Sequence, residues 1–518
     1  QNKNQRGNKV GSLIISLILI FIASLLVYYP ALKNEFIRNW DDPSYIIENP
    51  YIREFSFSNL KTLFSTYFLG NYHPLTLVSF AFDFSLYELR PFGYHLANII
   101  IHALNSFLLY IILRKIFKSV KISLITSLLF AIHPIHVESV AWVSGRKDML
   151  FCFFYFAGII SYLYYLRDNN HLKYYILCIV LFVLSCLSKA MAVSFPLVLI
   201  LLDYLTQRTM TKKIFLDKIP FFIISLIIGI IAIFAQQSSG SLKVTTDYNF
   251  YDRIVLASMG SFIYLKNMFI PFHQSAFYNY PQDENGLLPS YTQYYLIFAV
   301  FILSVLVYSW KKKHRSLFFC LSFFFATIFF VLQILPVGDA LLADRYAYIP
   351  SAGILLIIGV GFKRFKRLQA DSQRLFQMIF FVFLVVFTVF LSYQTWNRCK
   401  VWKDSFTLFN DVIKKDPKTA FAYNNRAVEY YFAGDFKNAI SDFDKAIQIN
   451  PKFTLAIHYR GMTYSKLRRF DLALSDMNRA LELRPDLHDA YFNRGVIYFL
   501  TGNKEQAKAD FEKSLSLK

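Results

Sequence analysis

Residues 11–29 read GSLIISLILIFIASLLVYY, a run without a charged side chain. About 20 such residues are enough for a helix to cross a bilayer. Lys3, Arg6 and Lys9 precede the run, as in a secretory signal, but Tyr28-Tyr29-Pro30 follows it in place of a small-residue cleavage site. The pattern predicts an uncleaved first membrane span whose N-terminus lies in the cytoplasm.

The composition of the whole chain favours many such spans. Of its 518 residues, 55% are hydrophobic and 17% are charged, against about 25% charged in typical soluble domains. The net charge is +21, and from Lys400 onward there are 20 of the 55 basic and 15 of the 34 acidic residues. Most of the remaining basic excess lies in short loops between apolar runs. This is the positive-inside pattern of a membrane protein, so we expect the lipid bilayer as a partner and no nucleic acid.

Ten further apolar runs predict about eleven spans in an all-α membrane domain over residues 1–397. They lie near 95–114, 122–141, 149–166, 173–188, 191–206, 219–236, 292–310, 316–334, 348–362 and 375–395. With this number, the basic loops fall on the cytoplasmic side, and the loop from Pro30 to about Gly93 is exported together with the C-terminal domain. Ile254–Ile270 is apolar but does not fit this alternation, so we expect it to lie at the interface or to be re-entrant.

Within residues 398–518, the same residue types recur every 34 positions. Five sets of positions follow this 34-residue period: Ala422, Ala456 and Ala490; Ala439, Ala473 and Ala507; Asp442, Asp476 and Asp510; Arg426, Arg460 and Arg494; Pro417, Pro451 and Pro485. This period, with small residues where helices cross, predicts about three tetratricopeptide repeats (TPRs) in an α-solenoid. A capping helix is expected at Trp402–Lys415. The groove of such a solenoid suits an acceptor polypeptide or a partner helix, although a purely structural tail is the alternative.

Asp41 and Asp42 form an acidic pair in the first exported loop, in the sequence Asn39-Trp40-Asp41-Asp42-Pro43. One carboxylate could take a proton from a hydroxyl nucleophile while the other positions it. The pair could instead hold a divalent cation. A third interpretation makes the aspartate the N-cap of a short helix that begins at Pro43.

Histidines supply the next candidates. His73 and His95 could assist proton transfer or orient a phosphate, and structural roles are the alternative. His133, His136 and Glu138 lie between two apolar runs, where polar groups are expensive unless they line a cavity. We expect a cavity wall there. A zinc site is disfavoured, because Pro134 breaks the helix that would present the ligands.

Cations near the exported surface are candidates for binding an anionic headgroup. Arg146 and Lys147 follow the histidine segment, and Lys189 lies in a tight turn between two runs. Arg345 follows Asp344 and precedes Tyr346 at another predicted interface. Arginine pairs well with phosphate, and tyrosine suits the membrane interface. An ordinary ion pair that anchors a helix is the alternative for Arg345.

These segments, in this order, resemble the transmembrane and TPR-containing (TMTC) family of O-mannosyltransferases and its bacterial relatives. The motifs that carry the resemblance are Trp40-Asp41-Asp42, His73-Pro74-Leu75-Thr76, His133-Pro134-Ile135-His136, and Asp344-Arg345-Tyr346-Ala347-Tyr348-Ile349-Pro350-Ser351. The resemblance implies a GT-C-type membrane fold, a polyprenyl-phosphate sugar donor (usually mannose) and Ser/Thr acceptors. It also implies that the catalytic acidic pair is Asp41 and Asp42. Asp344 departs from the glutamate that is common in the family.

The expected function is therefore inverting sugar transfer from a lipid-linked donor to exported proteins, with Arg345, Arg146 and Lys189 on the donor phosphate. The sequence identifies no definite cofactor, and a divalent cation held by the acidic pair is the open alternative. A TPR scaffold without enzymatic activity and a transporter of lipid-linked sugars are the alternatives. The composition favours a bacterial inner membrane with periplasmic repeats, and an endoplasmic reticulum membrane is the other option.

Overall fold

The computed structural model describes residues 2–167, 171–209, 211–240, 248–283, 286–334, 338, 340–364 and 370–517. Within these ranges the chain is helical, and its only β-pairings are two isolated bridges, Phe68–Asn71 and Tyr278–Leu342. This confirms the predicted all-α class. The chain divides into two compact units, Gln1–Lys403 and Asp404–Lys518.

The first unit contains sixteen α-helices in its described residues. They are α1 (Asn2–Tyr28), α2 (Phe57–Ser65), α3 (Pro74–Tyr87), α4 (Pro91–Phe117), α5 (Val120–Ile132), α6 (Val137–Ala141), α7 (Arg146–Arg167), α8 (Leu172–Ser188), α9 (Phe195–Leu205), α10 (Lys212–Leu216), α11 (Ile219–Ser238), α12 (Phe250–Phe269), α13 (Tyr295–Lys311), α14 (Arg315–Ile328), α15 (Ser351–Arg364) and α16 (Ala370–Val401). Helix α4 packs against α1, α5 and α7 and so lies near the centre of this unit.

Apolar helices occupy all eleven predicted runs, and the chain is a multi-pass membrane protein. Six are long and apolar enough to cross a membrane: Gly11–Lys33, Pro91–Phe117, Val143–Arg167, Ile214–Ser238, Ser290–Lys311 and Leu375–Val401. The run at 122–141 is a pair of helices bent by 50°, because Pro134 interrupts it. The other four runs are shorter apolar helices. Their number and orientation as spans stay predictions.

The segment expected at the interface or as a re-entrant loop is helix α12. It is 20 residues long and is not among the described helices that are apolar enough to span. Asn249 and Asp252 form a reciprocal capping box at its start. One face of the helix packs on a core cluster through Leu256, Tyr264 and Met268.

Buried polar side chains connect the central helices of the first unit. Asn105 on α4 donates to the Met149 carbonyl over 2.8 Å, and His102 lies 2.6 Å from the Tyr348 hydroxyl. Asn98 donates to the carbonyls of Val140 and Trp142. Polar groups in an apolar interior are costly when unpaired. These bonds therefore fix α4 against the segment that carries the candidate site.

The second unit is a TPR solenoid. Its helices are α17 (Ser405–Lys415), α18 (Ala420–Phe432), α19 (Phe436–Ile449), α20 (Thr454–Lys466), α21 (Phe470–Leu483), α22 (His488–Leu500) and α23 (Lys504–Ser516). Helices α18 to α23 form the three predicted repeats. The predicted capping helix is α17, which begins at Ser405 rather than at Trp402, because the Asp404 carboxylate accepts from the Thr407 N–H and caps it there.

The periodic arginines and aspartates of the repeats are ion-pair partners. Arg460 makes a two-pronged contact with Asp476, with distances of 2.8 and 2.7 Å, and also reaches Asp444 in the preceding repeat over 2.7 Å. Arg426 and Arg494 make the same two-pronged contacts with Asp442 and Asp510. In the preceding helix they donate to the side-chain oxygens of Asn410 and Asn478, each over 2.7 Å. Each arginine therefore joins the two helices of its repeat and bridges to the helix before them, which accounts for the strict spacing in sequence.

Candidate active site

The first predicted exported loop is held by its own apolar side chains. Phe36, Tyr45, Ile46 and Ile52 are buried and share a core cluster with Leu63, Phe80 and Tyr94. A one-turn helix, Pro43–Ile47, follows the acidic pair. Because residues on both sides of the pair are packed, Asp41 and Asp42 have fixed positions.

Asp42 is fully buried and accepts three hydrogen bonds. Its Oδ2 accepts from the Ile37 N–H over 2.7 Å, and its Oδ1 accepts from the Ser144 N–H over 3.1 Å and from the Ser144 hydroxyl. Burial raises the pKa of this carboxyl to about 6, and the hydrogen bonds oppose the shift. Asp42 makes no side-chain bond to the helix that begins at Pro43, so the capping interpretation does not hold. Its carboxylate joins the loop to the start of α7.

Asp41 is the accessible member of the pair. Its side chain is 19% exposed, and Oδ2 lies 2.9 Å from the Lys147 ammonium group. That ammonium group also lies 5.0 Å from the centre of the Tyr45 ring and 5.4 Å from that of Trp142. The lysine therefore orients the Asp41 carboxylate.

Two further ion pairs lie beside the first. Lys189 pairs with Asp148, and Arg345 pairs with Glu138. Lys189 and Arg345 each lie 4.9 Å from the centre of the Tyr346 ring, so this ring is shared by both cations. The acids Asp148 and Glu138 are almost completely buried, whereas the Lys189 and Arg345 side chains are 13% and 16% exposed. In these two pairs the cation is the group that a ligand can reach.

A cavity of about 70 Å³ lies against Lys147, Lys189 and His73. The His73 imidazole is buried, and neither ring nitrogen has a hydrogen-bond partner among the described residues. Burial first, and then the charges of Lys147 and Lys189, hold its pKa well below the usual value. The cavity thus offers two ammonium groups and one neutral imidazole, a set of groups suited to an anion.

Arg146 does not join the other cations. Its guanidinium is 1% exposed and pairs with Asp83 over 2.5 Å. Its Nε donates to Asn98 Oδ1, and Nη2 donates to the Tyr94 carbonyl. With these donors committed, Arg146 positions α3, α4 and α7 and has little left for a ligand. Such a role could not be distinguished from phosphate binding by sequence position alone.

His133 and His136 are structural in their contacts. His133 donates to the Met268 carbonyl over 2.9 Å and accepts from the Ile135 N–H. The two ring nitrogens of His136 lie 2.9 Å from the Phe130 carbonyl and 2.9 Å from the Ser351 hydroxyl. His95 is fully buried beside the backbone of Asn34 and Glu35, and, as in His73, neither ring nitrogen has a hydrogen-bond partner among the described residues. Among the described residues, no group of three or more His, Cys, Asp or Glu side chains is arranged around a metal position.

Asp344 and Glu138 support the Arg345 segment. Asp344 is buried and accepts from the Tyr278 hydroxyl over 2.9 Å. Glu138 accepts from the Arg345 backbone N–H over 3.0 Å in addition to its ion pair with the guanidinium. Glu138 therefore connects the His133–Glu138 segment to the Arg345 cation. The expected role of this segment as a cavity wall stays a prediction, since neither of the two cavities described for this protein is lined by His133, His136 or Glu138.

Two features of the site were not predicted. Asp148 partners Lys189, and three tryptophans meet beside Asp41. Trp40 lies 5.0 Å from Trp142, which lies 5.8 Å from Trp402, between ring centres. A signal for Asp148 was its position in the first turn of an apolar helix, where an acidic group is costly unless paired. The tryptophans are far apart in sequence, so nothing local connects them.

Both units of the chain are similar to known protein families. Residues 75–235 match the model described as dolichyl-phosphate-mannose-protein mannosyltransferase. Residues 420–453, 458–487 and 488–518 match tetratricopeptide repeat models. The chain thus joins a multi-pass unit similar to protein mannosyltransferases to a TPR array. The first match includes Lys147 and Lys189 and excludes Asp41 and Arg345.

Individual proteins that are similar to most of this chain are named protein O-mannosyl-transferases. A protein O-mannosyl-transferase of Caenorhabditis elegans is 23% identical over 453 residues, which are 82% of this chain and 61% of that protein. Protein O-mannosyl-transferase TMTC3 of Homo sapiens is 25% identical over 437 residues, which are 74% of this chain and 46% of that protein. The predicted resemblance to the TMTC family is confirmed, and this chain spans about half the length of these relatives. A crystal structure of MamA is similar with a TM-score of 0.21, at 21% identity, over 23% of this chain and 67% of that chain.

The buried Asp42 carboxyl predicts a particular pH dependence. A pKa raised from 3.8 to about 6 means that the folded protein binds the proton more readily than the unfolded chain. The group's contribution to stability therefore falls as the pH rises from about 4 to about 6. Between pH 7.5 and pH 5 the wild type should gain about 1 kcal/mol relative to an Asp42→Asn variant. The measurement is the thermal midpoint of the purified protein in detergent.

Glu48→Gln serves as the control for this experiment, because Glu48 is an exposed carboxylate of the same loop. Its stability difference from the wild type should stay constant across the same pH range. A constant difference for Asp42→Asn as well would contradict the assignment of the raised pKa to Asp42.

Proposed function

We propose that this chain transfers a sugar, most simply mannose, from a polyprenyl-phosphate donor to Ser or Thr hydroxyls of exported polypeptides, with inversion at the sugar. One observation carries the proposal: the accessible Asp41 carboxylate lies beside a cavity that presents two ammonium groups and an unpartnered imidazole. The similarity to protein O-mannosyl-transferases supports the same class of reaction.

Asp41 is the general base in this mechanism. The acceptor hydroxyl approaches Asp41 and gives up its proton as its oxygen attacks the anomeric carbon. The new carbon–oxygen bond forms on the face opposite the phosphate, and the bond between that carbon and the phosphate oxygen breaks. The Lys147 ammonium group lies 2.9 Å from the carboxylate and orients it. Asp42 does not contact the substrates in this mechanism, because its buried oxygens accept hydrogen bonds from Ile37 and Ser144. Its role is to hold Asp41, the preceding residue, in place.

In this mechanism the cations of the site stabilise the negative charge that develops on the leaving phosphate. A sugar linked through phosphate to a polyprenol is a diester with one negative charge, and its departure leaves a monoester with up to two. Groups that face the extra charge lower the barrier more than they strengthen binding of the donor. Lys189 and His73 line the cavity. Arg345 lies next to this region, because Arg345 and Lys189 each lie 4.9 Å from the centre of the Tyr346 ring.

Replacing the base should abolish transfer. An Asp41→Asn variant is expected to lose at least about a hundredfold in kcat, the usual contribution of a general base. The assay follows labelled mannose from polyprenyl-phosphate mannose to a polypeptide in detergent. Glu48→Gln, which removes another carboxylate of the same loop, should retain transfer. Full transfer by a correctly folded Asp41→Asn protein would remove Asp41 from the mechanism.

Replacing a cation of the cavity beside Asp41 should lower the catalytic efficiency for the lipid-linked donor. Lys189→Gln is expected to lower kcat/KM for the lipid-linked donor by about 10- to 100-fold, the effect of one charge-assisted hydrogen bond. The KM for the acceptor should change little. Steady-state rates at varied donor concentration measure the effect.

A matched variant separates this loss from misfolding. Lys189→Gln alone leaves Asp148 buried without its partner, so the double variant Lys189→Gln/Asp148→Asn removes both charges of the pair. It should fold more stably than the single variant and still have the donor defect. Wild-type kinetics in this double variant would exclude Lys189 from donor binding.

The TPR unit is proposed to present the acceptor. Solenoids of this type have a concave surface that receives extended peptides or helices. The proposed orientation places the N-terminus in the cytoplasm and the repeats in the periplasm of a bacterial inner membrane, or in the lumen if the membrane is the endoplasmic reticulum. Folded polypeptides need presentation more than short peptides, because fewer of their hydroxyls are accessible.

Removal of residues 404–518 should therefore reduce transfer to whole proteins several-fold more than transfer to a Ser/Thr-containing peptide. The cut falls at the boundary between the two compact units. Equal losses on both acceptors would contradict a presenting role. Protease added to the exported face of intact membranes should digest the repeats, and their protection would contradict the proposed orientation.

A further inference from the structure

A second cavity, of about 260 Å³, lies where the ends of α1 and α16 meet. Its lining consists of Tyr29, Pro30, Lys33, Asn34, Trp396, Lys400 and Lys403. It shares no residue with the cavity beside Asp41. The Tyr29 and Trp396 rings stack, with centres 6.2 Å apart and planes 15° from parallel.

The cavity has an excess of positive charge. The Lys33 ammonium group lies 5.6 Å from the centre of the Tyr29 ring, and that of Lys400 lies 5.8 Å from the centre of the Trp396 ring. Within the described part of the chain, neither lysine has a carboxylate at ion-pair distance. This differs from the cavity beside Asp41, where Lys147 and Lys189 each have an acidic partner. Clustered ammonium groups without counter-charge favour an anionic ligand.

The surroundings indicate that this anion belongs to a lipid. Both α1 and α16 contain segments long and apolar enough to cross a membrane. Tyr29 and Trp396 are 48% and 37% exposed, at the ends of these segments, as in the aromatic belts of membrane interfaces. Apolar side chains that are more than half exposed continue from the cavity along the same two helices, including Leu26 and Val389. Acyl chains would pack along them.

We propose that this cavity binds the phosphate headgroup of an anionic phospholipid, with Lys33 and Lys400 on the phosphate and the acyl chains along α1 and α16. This lipid is a resident of the protein, and its site is separate from that of the sugar donor. Phosphatidylglycerol is the simplest lipid of this chemistry for a test.

The site is connected to the acidic loop by short contacts. Asn34 donates to the Cys399 carbonyl over 3.1 Å, and the Glu35 N–H donates to the Lys403 carbonyl over 2.7 Å. Five residues after Glu35, Trp40 stacks on Trp402, with ring centres 6.3 Å apart. A lipid that holds the ends of α1 and α16 together therefore also stabilises the start of the loop that carries Asp41.

The test titrates the purified full-length protein in neutral detergent with short-chain phosphatidylglycerol and follows the thermal midpoint. Parallel titrations use phosphatidylcholine of the same chain length and inorganic phosphate. The midpoint of the wild type should rise with phosphatidylglycerol alone. In a Lys33→Gln/Lys400→Gln variant the apparent affinity should fall about tenfold or more, since each cation near an anionic lipid contributes to binding.

Two further variants complete the design. Lys61→Gln/Lys437→Gln removes two exposed lysines elsewhere and should respond like the wild type. Lys33→Arg/Lys400→Arg keeps the charges and should also respond, which excludes a folding defect as the cause of the loss. An equal response to phosphatidylcholine, an equal response to inorganic phosphate, or an unchanged response of the Lys33→Gln/Lys400→Gln variant would each overturn the proposal. None of these readouts depends on sugar transfer.

Discussion

The carboxylate of Asp42 connects the acidic loop to the membrane helices. A charge without exposed surface needs hydrogen bonds to replace water, and each hydrogen bond to a charged group contributes about 1.5–3 kcal/mol. Ile37 supplies one donor from within the loop, and Ser144 supplies two from the turn before α7. Asp41 is adjacent in sequence and Lys147 follows Ser144 by three residues. The same bonds therefore bring Asp41, the proposed base, and Lys147 together.

From this contact the arrangement of the other groups follows. Lys147 and Asp148 lie side by side in the first turn of α7, and they pair with different partners, Asp41 and Lys189. One helical turn thus joins the acidic loop to the segment after α8. Arg345 joins through Tyr346, whose ring contacts both Arg345 and Lys189. Residues from four distant parts of the sequence meet because each buried charge has its partner in another part.

The sequence predicted the helices and repeats of this protein better than it predicted which side chains pair with each other. Apolar runs marked the helices, since length and hydrophobicity are local properties, and the 34-residue period marked the TPRs. The candidate residues Asp41, His73, Lys189 and Arg345 do lie around one region. Which aspartate is accessible depended on Ser144, about a hundred residues away, and Arg146 could be separated from the other cations only by its pairing with Asp83. Tertiary contacts of this kind leave no local pattern.

The two cavities differ in how their positive charge is balanced, and this difference suits their proposed ligands. Beside Asp41, the carboxylates of Asp41 and Asp148 already neutralise Lys147 and Lys189. An arriving anion would have to compete with them, which suits a proposed donor phosphate that must leave after each reaction. At the ends of α1 and α16, Lys33 and Lys400 lack such competitors within the described chain. An anion there gains their full attraction and remains bound, as expected of a structural lipid rather than a substrate.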